Sequence, residues 1–364
     1  MFYPAHDLAL ANGVRHYTPP AFVRRMQDDL SDLTKWWTGP WGWNYDTRAA
    51  LLRQGMPPEA LPTDGDLVEL RRLSSRERTV EILEAMSDLC PSVAVPRCLA
   101  DVSNLVGMLG KVARTPCALV LKAPWSSSGR GQMRYLPSGN AERDGHALDK
   151  LRRYGEAVIR RMGCVMAEPW YTEKRRDFAM LFRIGRDAVA WEGYSLFEND
   201  AQGAYRAGLL ASDARIEGLL CADSGYEEAA MRRLLAAIRC RYEEDLLPRL
   251  FAALMHRPWE VGYVGIDMMT IAMPAFPCPG GLEASGASRV NGEAFPLIIH
   301  PCVEMNVRCT MGVVARHIFD SGATAGKEGR LRIITRPDGH FSAEIEIGSL
   351  ADLYNTDRPL SCLK

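Results

Sequence analysis

VGYVGIDMM (residues 261–269) and HPCVEMNVRCTMG (residues 300–312) are the two stretches on which this chain turns. Each belongs to an apolar run that delivers hard oxygen ligands: the first carries Asp267, and residues 297–303 lead into Glu304 and Asn306. Strand alternation sends Glu304 and Asn306 to one face and Met305 to the other. Two carboxylates and an amide carbonyl suit Mg²⁺, which takes oxygen ligands and completes its shell with water and nucleotide phosphates. The same residues also fit ordinary polar contacts at strand ends, and their spacing alone does not separate the two.

The 364 residues are 47% hydrophobic and 24% charged, a globular composition long enough for two or three domains. A formal net charge of −1 gives no electrostatic footprint for nucleic acid or an anionic membrane. Ten cysteines occur without a C-x-x-C pair, and Cys117, Cys164 and Cys302 lie in apolar strand-like runs, where free thiols act as small hydrophobes. That favours a reducing compartment. The opening MFYPAHDLALANG has no basic segment before an apolar core, and no apolar run approaches the ~18 residues of a membrane span. A cytoplasmic protein without nucleic-acid or membrane partners is expected.

Outward from the two ligand-bearing stretches, FYPAHDLALANGVRHYTPPAFV is broken by Pro4, Pro19 and Pro20 before a long helix can form. His6, Asp7, Asn12, Arg15 and Tyr17 crowd into it, either as turn formers and caps or as groups converging on a site. WWTGPWGWN gathers Trp36, Trp37, Trp41 and Trp43 around a Gly-Pro turn, where packing is favoured over stacking on a ring-bearing ligand. A short helix from Thr47 to about Gly55 should give way to a proline-rich connection over 56–62. Ser74 and Glu77 have capping-box spacing, so a helix is expected to start there and to bury Val80, Leu83 and Met86.

A strand over 92–95, a helix over 99–112 and a strand over 118–121 follow. The last ends at Lys122 and opens into APWSSSGRGQMRYL, which fits either an ordinary glycine-rich hairpin or a loop laying backbone N–H groups over phosphates. G-K-[ST] is absent, so it is not a Walker A loop. Next come a helix over 147–162, a strand over 164–167 that breaks at Glu168-Pro169-Trp170-Tyr171, and strands over 178–183 and 188–195 in a mostly antiparallel pattern. A long amphipathic helix over 226–255 should be kinked or divided at Pro248. Residues 274–292 fit an exposed hairpin loop, a helix should run from Thr310 to about Phe319, and from Leu331 the chain is strand-like and then irregular.

In this order, these signals resemble the ATP-grasp superfamily. The matching residues are Val120-Leu121-Lys122 with Ser126-Ser127-Ser128-Gly129-Arg130-Gly131, the break Ala167-Glu168-Pro169-Trp170, then Asp177, Gly265-Ile266-Asp267 and Val303-Glu304-Met305-Asn306-Val307-Arg308. The resemblance spans residues 74–320. It implies an α+β fold in which two subdomains grip ATP, preceded by an N-terminal α/β-type pre-ATP-grasp region. On it, 1–73 would be a substrate-side region, 74–170 and 171–330 the small and large subdomains, and 331–364 a strand-like segment and tail.

By the same resemblance Lys122 would meet the α- and β-phosphates, and Ser126, Ser127, Ser128, Gly129 and Gly131 would cover the phosphates. Glu168 and Trp170 would read the adenine, and Asp177 would help to hold the nucleotide. Asp267, Glu304 and Asn306 would carry one or two Mg²⁺, with Mn²⁺ as an alternative, and Arg308 would stabilise the transferring phosphoryl group or acyl phosphate. The family's upstream lysine has no counterpart here; Arg76 and Arg78 are the nearest cations, and arginine keeps the charge and the phosphate fork.

The implied reaction is a ligation in which ATP activates a carboxylate as an acyl phosphate for attack by an amine, with ADP and phosphate released. The substrates would be small molecules or peptides, and a homo-oligomer is compatible. A kinase acting on a small-molecule hydroxyl and a non-catalytic nucleotide-binding regulatory protein also fit, although the intact Asp267, Glu304 and Asn306 speak against the latter. Candidate substrate contacts are Asp7, suited to an amine, Asn12, and Arg15, suited to a carboxylate.

Overall fold

The computed structural model describes residues 2–126, 130–200, 203–222, 228–272 and 297–348. Ser127, Ser128 and Gly129 of the expected phosphate loop, and the expected hairpin over 274–292, lie outside them. Short runs rich in apolar residues, several buried on both faces, build strands β1 (Arg97–Leu99), β2 (Leu119–Lys122), β3 (Gln132–Tyr135), β4 (Val165–Pro169), β5 (Lys174–Ile184) and β6 (Val189–Asn199). Further along come β7 (Tyr205–Leu210), β8 (Gly262–Ala272), β9 (Leu297–Asn306), β10 (Gly329–Thr335) and β11 (Phe341–Ile347). They form a four-stranded sheet, β1-β4-β2-β3, and a seven-stranded sheet, β11-β10-β7-β6-β5-β8-β9, paired antiparallel. The architecture is α+β, but the α/β-type region expected over 1–73 is corrected to a helical one: the first strand among the described residues is β1.

Helices Val102–Arg114 and Ala141–Met162 cover the four-stranded sheet, burying Leu105, Met108, Leu148 and Leu151 against Leu119, Leu121 and Val165. Their first turns are capped by Asp101 and Asn140, whose side chains accept from Asn104 and Arg143 N–H. The seven-stranded sheet has two dissimilar faces. Phe178, Met180, Phe182 and Ile266 pack in one cluster with Leu235, Ile238, Tyr242 and Phe251, whereas Ala179 and Leu181 meet Phe2, Trp41, Val313 and Val314 in another. Each large buried side chain contributes ~1.5–3 kcal/mol, so a one-residue slip, which exchanges the faces, is strongly opposed.

Several elements differ from expectation, each for a local reason. The capping box is formed by Thr63 and Asp66, at the head of an unanticipated helix, Asp64–Leu73. Ser74 instead ends that helix and donates to Leu70 O at 2.8 Å, and the next helix, Arg78–Ala85, starts without a side-chain cap. Spacing cannot tell which of two similar tetrads faces free N–H groups. Residues 92–95 form no strand; β1 starts only after Pro96, which could not donate to a ladder. β4 continues through Glu168, and Pro169 still opposes Leu119, because a missing N–H is tolerated at a strand end.

The long helix is divided into Glu228–Arg241, a π-turn Tyr242–Leu246 and Leu247–Phe251. The wider turn lies over the carbonyls that the Pro248 ring would otherwise strike. β7 and helix Asp213–Ala222 were not anticipated. Cys117 is disulfide-bonded, a correction to the free thiol expected there, since apolar periodicity reports burial and a half-cystine satisfies it equally. Cys90, Cys98, Cys164, Cys221, Cys240, Cys302 and Cys309 are free. Among the described residues no helix is long and apolar enough to cross a membrane.

Candidate active site

Register builds the site. Ala179 on β5 opposes Ser195 on β6 and Asp267 on β8, and Asp267 opposes Glu304 on β9. Directly opposed residues share a face, so Ser195, Ala179, Asp267 and Glu304 stand in one row across four strands. A parallel row aligns Phe197, Asp177 and Met269. Unbroken alternation along β9 would bring Cys302 onto the face of Glu304. An irregularity between Asp267 and Met269 shifts the pairing, and Cys302 packs into the opposite core.

The four-stranded sheet supplies the other wall. β2 and β4 pair Val120 with Glu168, and Lys122 forms an ion pair with Glu168, both side chains largely buried. Together the two sheets and the N-terminal segment enclose a cavity of about 440 Å³, lined by Lys122, Glu168, Trp170, Asp177, Asp267 and Glu304 among others. Arg76, Ser126, Asn306, Arg308 and Asp7 also border it. Asp177 is held by Lys174 Nζ at 2.6 Å and Asn199 at 3.0 Å, and the Arg134 guanidinium lies 4.0 Å over the Trp170 ring.

Two guanidinium groups organise the charged strip. Arg76 donates to Glu304 Oε2 (2.8 Å), Ser126 Oγ (2.7 Å) and Ala123 O (2.8 Å). Arg308 forks Asp7, with Nε to Oδ1 and Nη2 to Oδ2 both 2.7 Å, and Nη2 also reaches Asn306 Oδ1 at 3.0 Å. Asp7, Asp267 and Glu304 are therefore three carboxylates sharing two cations, and the surplus negative charge falls on Asp267. Burial first, and the Glu304 charge second, push the Asp267 carboxyl up to about 8, against the pull of Arg308 and an Asn306 hydrogen bond. Burial also raises Asp7, but the charge and hydrogen bonds of Arg308 outweigh it and hold Asp7 below the ordinary carboxylate value. Burial brings His6 down to about 4, so this ring, 3.0 Å from the Asn44 amide, is a neutral packing group.

The donor set fits a hard divalent cation. Asp267 and Glu304 face each other on adjacent strands with their charge under-compensated, and Asn306 adds an amide oxygen beside them. Arg308 engages that oxygen here, so the two carboxylates are the firmer part of the set.

Not every sequence candidate reaches the cavity. Helix His6–Asn12 ends at Gly13 (φ 64), which turns the chain away after Asp7 has been delivered. Asn12 donates to Leu8 O within its own helix at 3.4 Å, and Arg15 pairs with Asp64 on the surface at 2.6 Å, so the expected convergence of Asp7, Asn12 and Arg15 is corrected to Asp7 alone. Arg78 pairs with Glu81. Gly131 supports the loop rather than lining it: its φ is +62, and a Cβ there would lie 2.4 Å from the Ser126 Cβ.

Of the tryptophans, Trp43 packs on Trp259, Trp36 on His317 and Trp37 on Tyr263, whereas Trp41 borders the cavity edge-on to Phe2. Gly42 beside it admits His6 and Arg308, since an added Cβ would lie 2.6 Å from His6 Cε1 and 2.8 Å from Arg308 Cβ. Ser195 went unrecognised in the sequence. Its buried hydroxyl has no partner among the described residues and stands in the row of Asp267.

No protein-family model and no curated protein sequence matches this chain. Among solved structures it is similar to the N5-carboxyaminoimidazole synthetase from Staphylococcus aureus complexed with ADP, at 10% identity over 79% of this chain and 72% of that one (TM-score 0.43). It is also similar to the N5-carboxyaminoimidazole ribonucleotide synthetase from Thermus thermophilus, at 15% identity over 91% of this chain and 81% of that one (TM-score 0.42). A biotin carboxylase–beta-gamma-ATP complex from Campylobacter jejuni is a third, at 12% identity over 81% of this chain and 58% of that one (TM-score 0.40).

Proposed function

We propose that this chain is an ATP-grasp ligase, which activates a carboxylate with ATP and joins it to an amine, releasing ADP and phosphate. One observation carries this: Lys122 and Glu168 of one sheet meet Asp177, Asp267 and Glu304 of the other, with Arg308 beside them, around a single cavity of about 440 Å³. Phosphoryl transfer asks a protein mainly for positioning and charge neutralisation, and a strip of fixed cations and carboxylates between two sheets supplies both.

On this proposal Glu168, Trp170 and Asp177 hold the nucleoside end, and Lys122 meets phosphate oxygens. Arg76 and Ser126 tie the loop after β2 to Glu304. Asp267 and Glu304, joined by Asn306, hold Mg²⁺ or Mn²⁺, which when bound neutralises phosphate oxygens. A substrate carboxylate oxygen attacks the γ-phosphorus, the bond to the β–γ bridging oxygen breaks, and ADP leaves. The amine nitrogen then attacks the acyl carbon, the bond from that carbon to the phosphate oxygen breaks, phosphate leaves, and the nitrogen gives up a proton. Arg308 offers its guanidinium to the acyl phosphate, and Asp7, which fixes that fork, is suited to an ammonium group.

Much of the remaining wall is apolar, with Phe2, Phe22, Met26, Trp41, Phe197 and Met311, so we assign a small molecule or short peptide with an apolar body, and Ser195 as a polar contact for it. Seven of the described cysteines are free and Cys117 is disulfide-bonded; the preponderance of free thiols suits a reducing compartment, the cytoplasm in our assignment.

The test is ATP turnover against a panel of amino acids, peptides and small acids with hydroxylamine present. Hydroxamate accumulating in step with ADP supports the ligase. ADP with the phosphoryl group retained on a hydroxyl product and no hydroxamate replaces it with a kinase, and the absence of any ATP turnover removes both.

A further inference from the structure

Away from the cavity, one cluster of metal-ligating side chains has no part in the proposed ligation. Glu77, Cys98 and Cys164 bring a carboxylate oxygen and two sulfurs within 4.8 Å of one another, the one such His/Cys/Asp/Glu group of three or more among the described residues. Cys98 Sγ lies 3.8 Å from Glu77 Oε2. The three arrive from separate elements: Glu77 precedes helix Arg78–Ala85, Cys98 is on β1, and Cys164 immediately precedes β4.

Register decides what the two thiols can do. β1 and β4 pair Cys98 with Met166, which puts Cys164 on the same face but two residues along, diagonal to Cys98. Diagonal residues stand ~7–8 Å apart, whereas a disulfide needs Cα atoms ~4.4–6.8 Å apart. The backbone separation is off the usual geometry of an S–S bond, while the two thiols, in direct hydrogen-bond contact, are near enough to share a third atom. A tetrahedral cation with bonds of ~2.3 Å to sulfur and ~2.0–2.2 Å to carboxylate oxygen sets a sulfur and an oxygen about 3.5–3.7 Å apart, close to the 3.8 Å over which the Cys98 thiol donates to Glu77.

We propose that Glu77, Cys98 and Cys164 bind a thiophilic divalent cation of the Zn²⁺ class, with a fourth position open to water. Ser75 orients the carboxylate, its hydroxyl donating to Glu77 Oε1 at 3.0 Å and accepting Glu77 N–H at 3.3 Å. Cys164 is buried and Cys98 exposed, which gives an anchored ligand and an entry path. The cation would act as a staple. Helix Arg78–Ala85 packs through Ile82 and Leu83 into the core of the seven-stranded sheet, while β1 and β4 belong to the four-stranded sheet. Glu77 also directly follows Arg76, the residue that holds Glu304 and Ser126.

The experiment titrates reduced, metal-free full-length protein with Co²⁺ and then Zn²⁺. One Co²⁺ per chain should give a near-ultraviolet sulfur-to-metal charge-transfer band that Zn²⁺ abolishes, and Zn²⁺ should raise the melting temperature. Cys98→Ser, at an exposed position, should remove the band and weaken Zn²⁺ at least about tenfold, with the melting temperature of the metal-free protein unchanged; Glu77→Gln should weaken Zn²⁺ too. Cys240→Ser, at another exposed free thiol, should leave band and affinity intact. A band and stoichiometry that survive in Cys98→Ser overturn the proposal, as does wild-type protein with no band at saturating Co²⁺.

Discussion

Replacing Asp267 by Asn should stabilise the metal-free protein while removing its activity. In the folded chain burial, and then Glu304, move this carboxyl from 3.8 to about 8. Between those values the folded state keeps a proton that the unfolded state has released, so stability falls as pH rises through the window and levels off above it. At 1.36 kcal/mol per pKa unit the loss reaches about 4 kcal/mol at pH 7. Asn has nearly the same shape and no charge to bury, so the variant escapes this slope. At about 2.1 cal/mol/K of unfolding entropy per residue, each kcal/mol moves the melting temperature of a chain this large by roughly 1–2 °C. Asp267→Asn should therefore melt several degrees above wild type at pH 8 in EDTA, with the gap closing toward pH 4. Saturating Mg²⁺ should narrow it by binding only the wild-type carboxylate pair. Calorimetric melts across this pH range, beside MgATP turnover, make the comparison. Wild-type protein that is no less stable at pH 8 than at pH 6 without metal would refute the uncompensated charge, and with it the electrostatic ground for a cation at Asp267 and Glu304.

Lys122→Met should abolish turnover and also cost about 3–5 kcal/mol, because it strands Glu168 as a buried charge; adding Glu168→Gln should restore melting temperature but not activity, and a single variant as stable as wild type would contradict the pairing. Gly42→Ala, whose new methyl would sit 2.8 Å from Arg308 Cβ, should destabilise by about 1–3 kcal/mol and raise KM for the acceptor; unaltered melting and kinetics would show that the loop yields freely. Asp7→Asn removes the charge that fixes Arg308 and should raise the acceptor KM several-fold with MgATP affinity retained. Lower thermal stability with normal kinetics would reduce Asp7 to a structural role.

That Asp267, Glu304 and Lys122 border the cavity was legible in the sequence because each is a charged residue within or at the end of an apolar run, which places it on a face or at an end of a sheet. The α+β pattern followed from the same runs. What escaped depended on information no local window holds. Arg15 and Asn12 were plausible neighbours of Asp7 until Gly13 set the direction of exit, and a turn of φ 64 is permitted, not dictated, by glycine. Ser195 joins Asp267 only through two strand registers. The box at Ser74 had the right letters, but its hydroxyl serves the end of the preceding helix. Cys98 and Cys164 become neighbours only once β1 lies on β4.

The two walls of the cavity are also held in different ways. Lys122 and Glu168 sit on adjacent strands of one sheet, so their pairing is fixed by the Val120–Glu168 register and by the core beneath it. Arg308 instead takes its partner, Asp7, from a helix of seven residues, too short to persist on its own in water, and the packing of Phe2 against Trp41 and of Gly42 against Arg308 keeps it in place. The end of the cavity assigned to the substrate thus rests on fewer local supports than the nucleotide end. A perturbation of the N-terminal packing, as in Gly42→Ala, should loosen Arg308 and acceptor binding before it disturbs Lys122 and MgATP. Loss of MgATP affinity ahead of acceptor affinity in that variant would reverse this order.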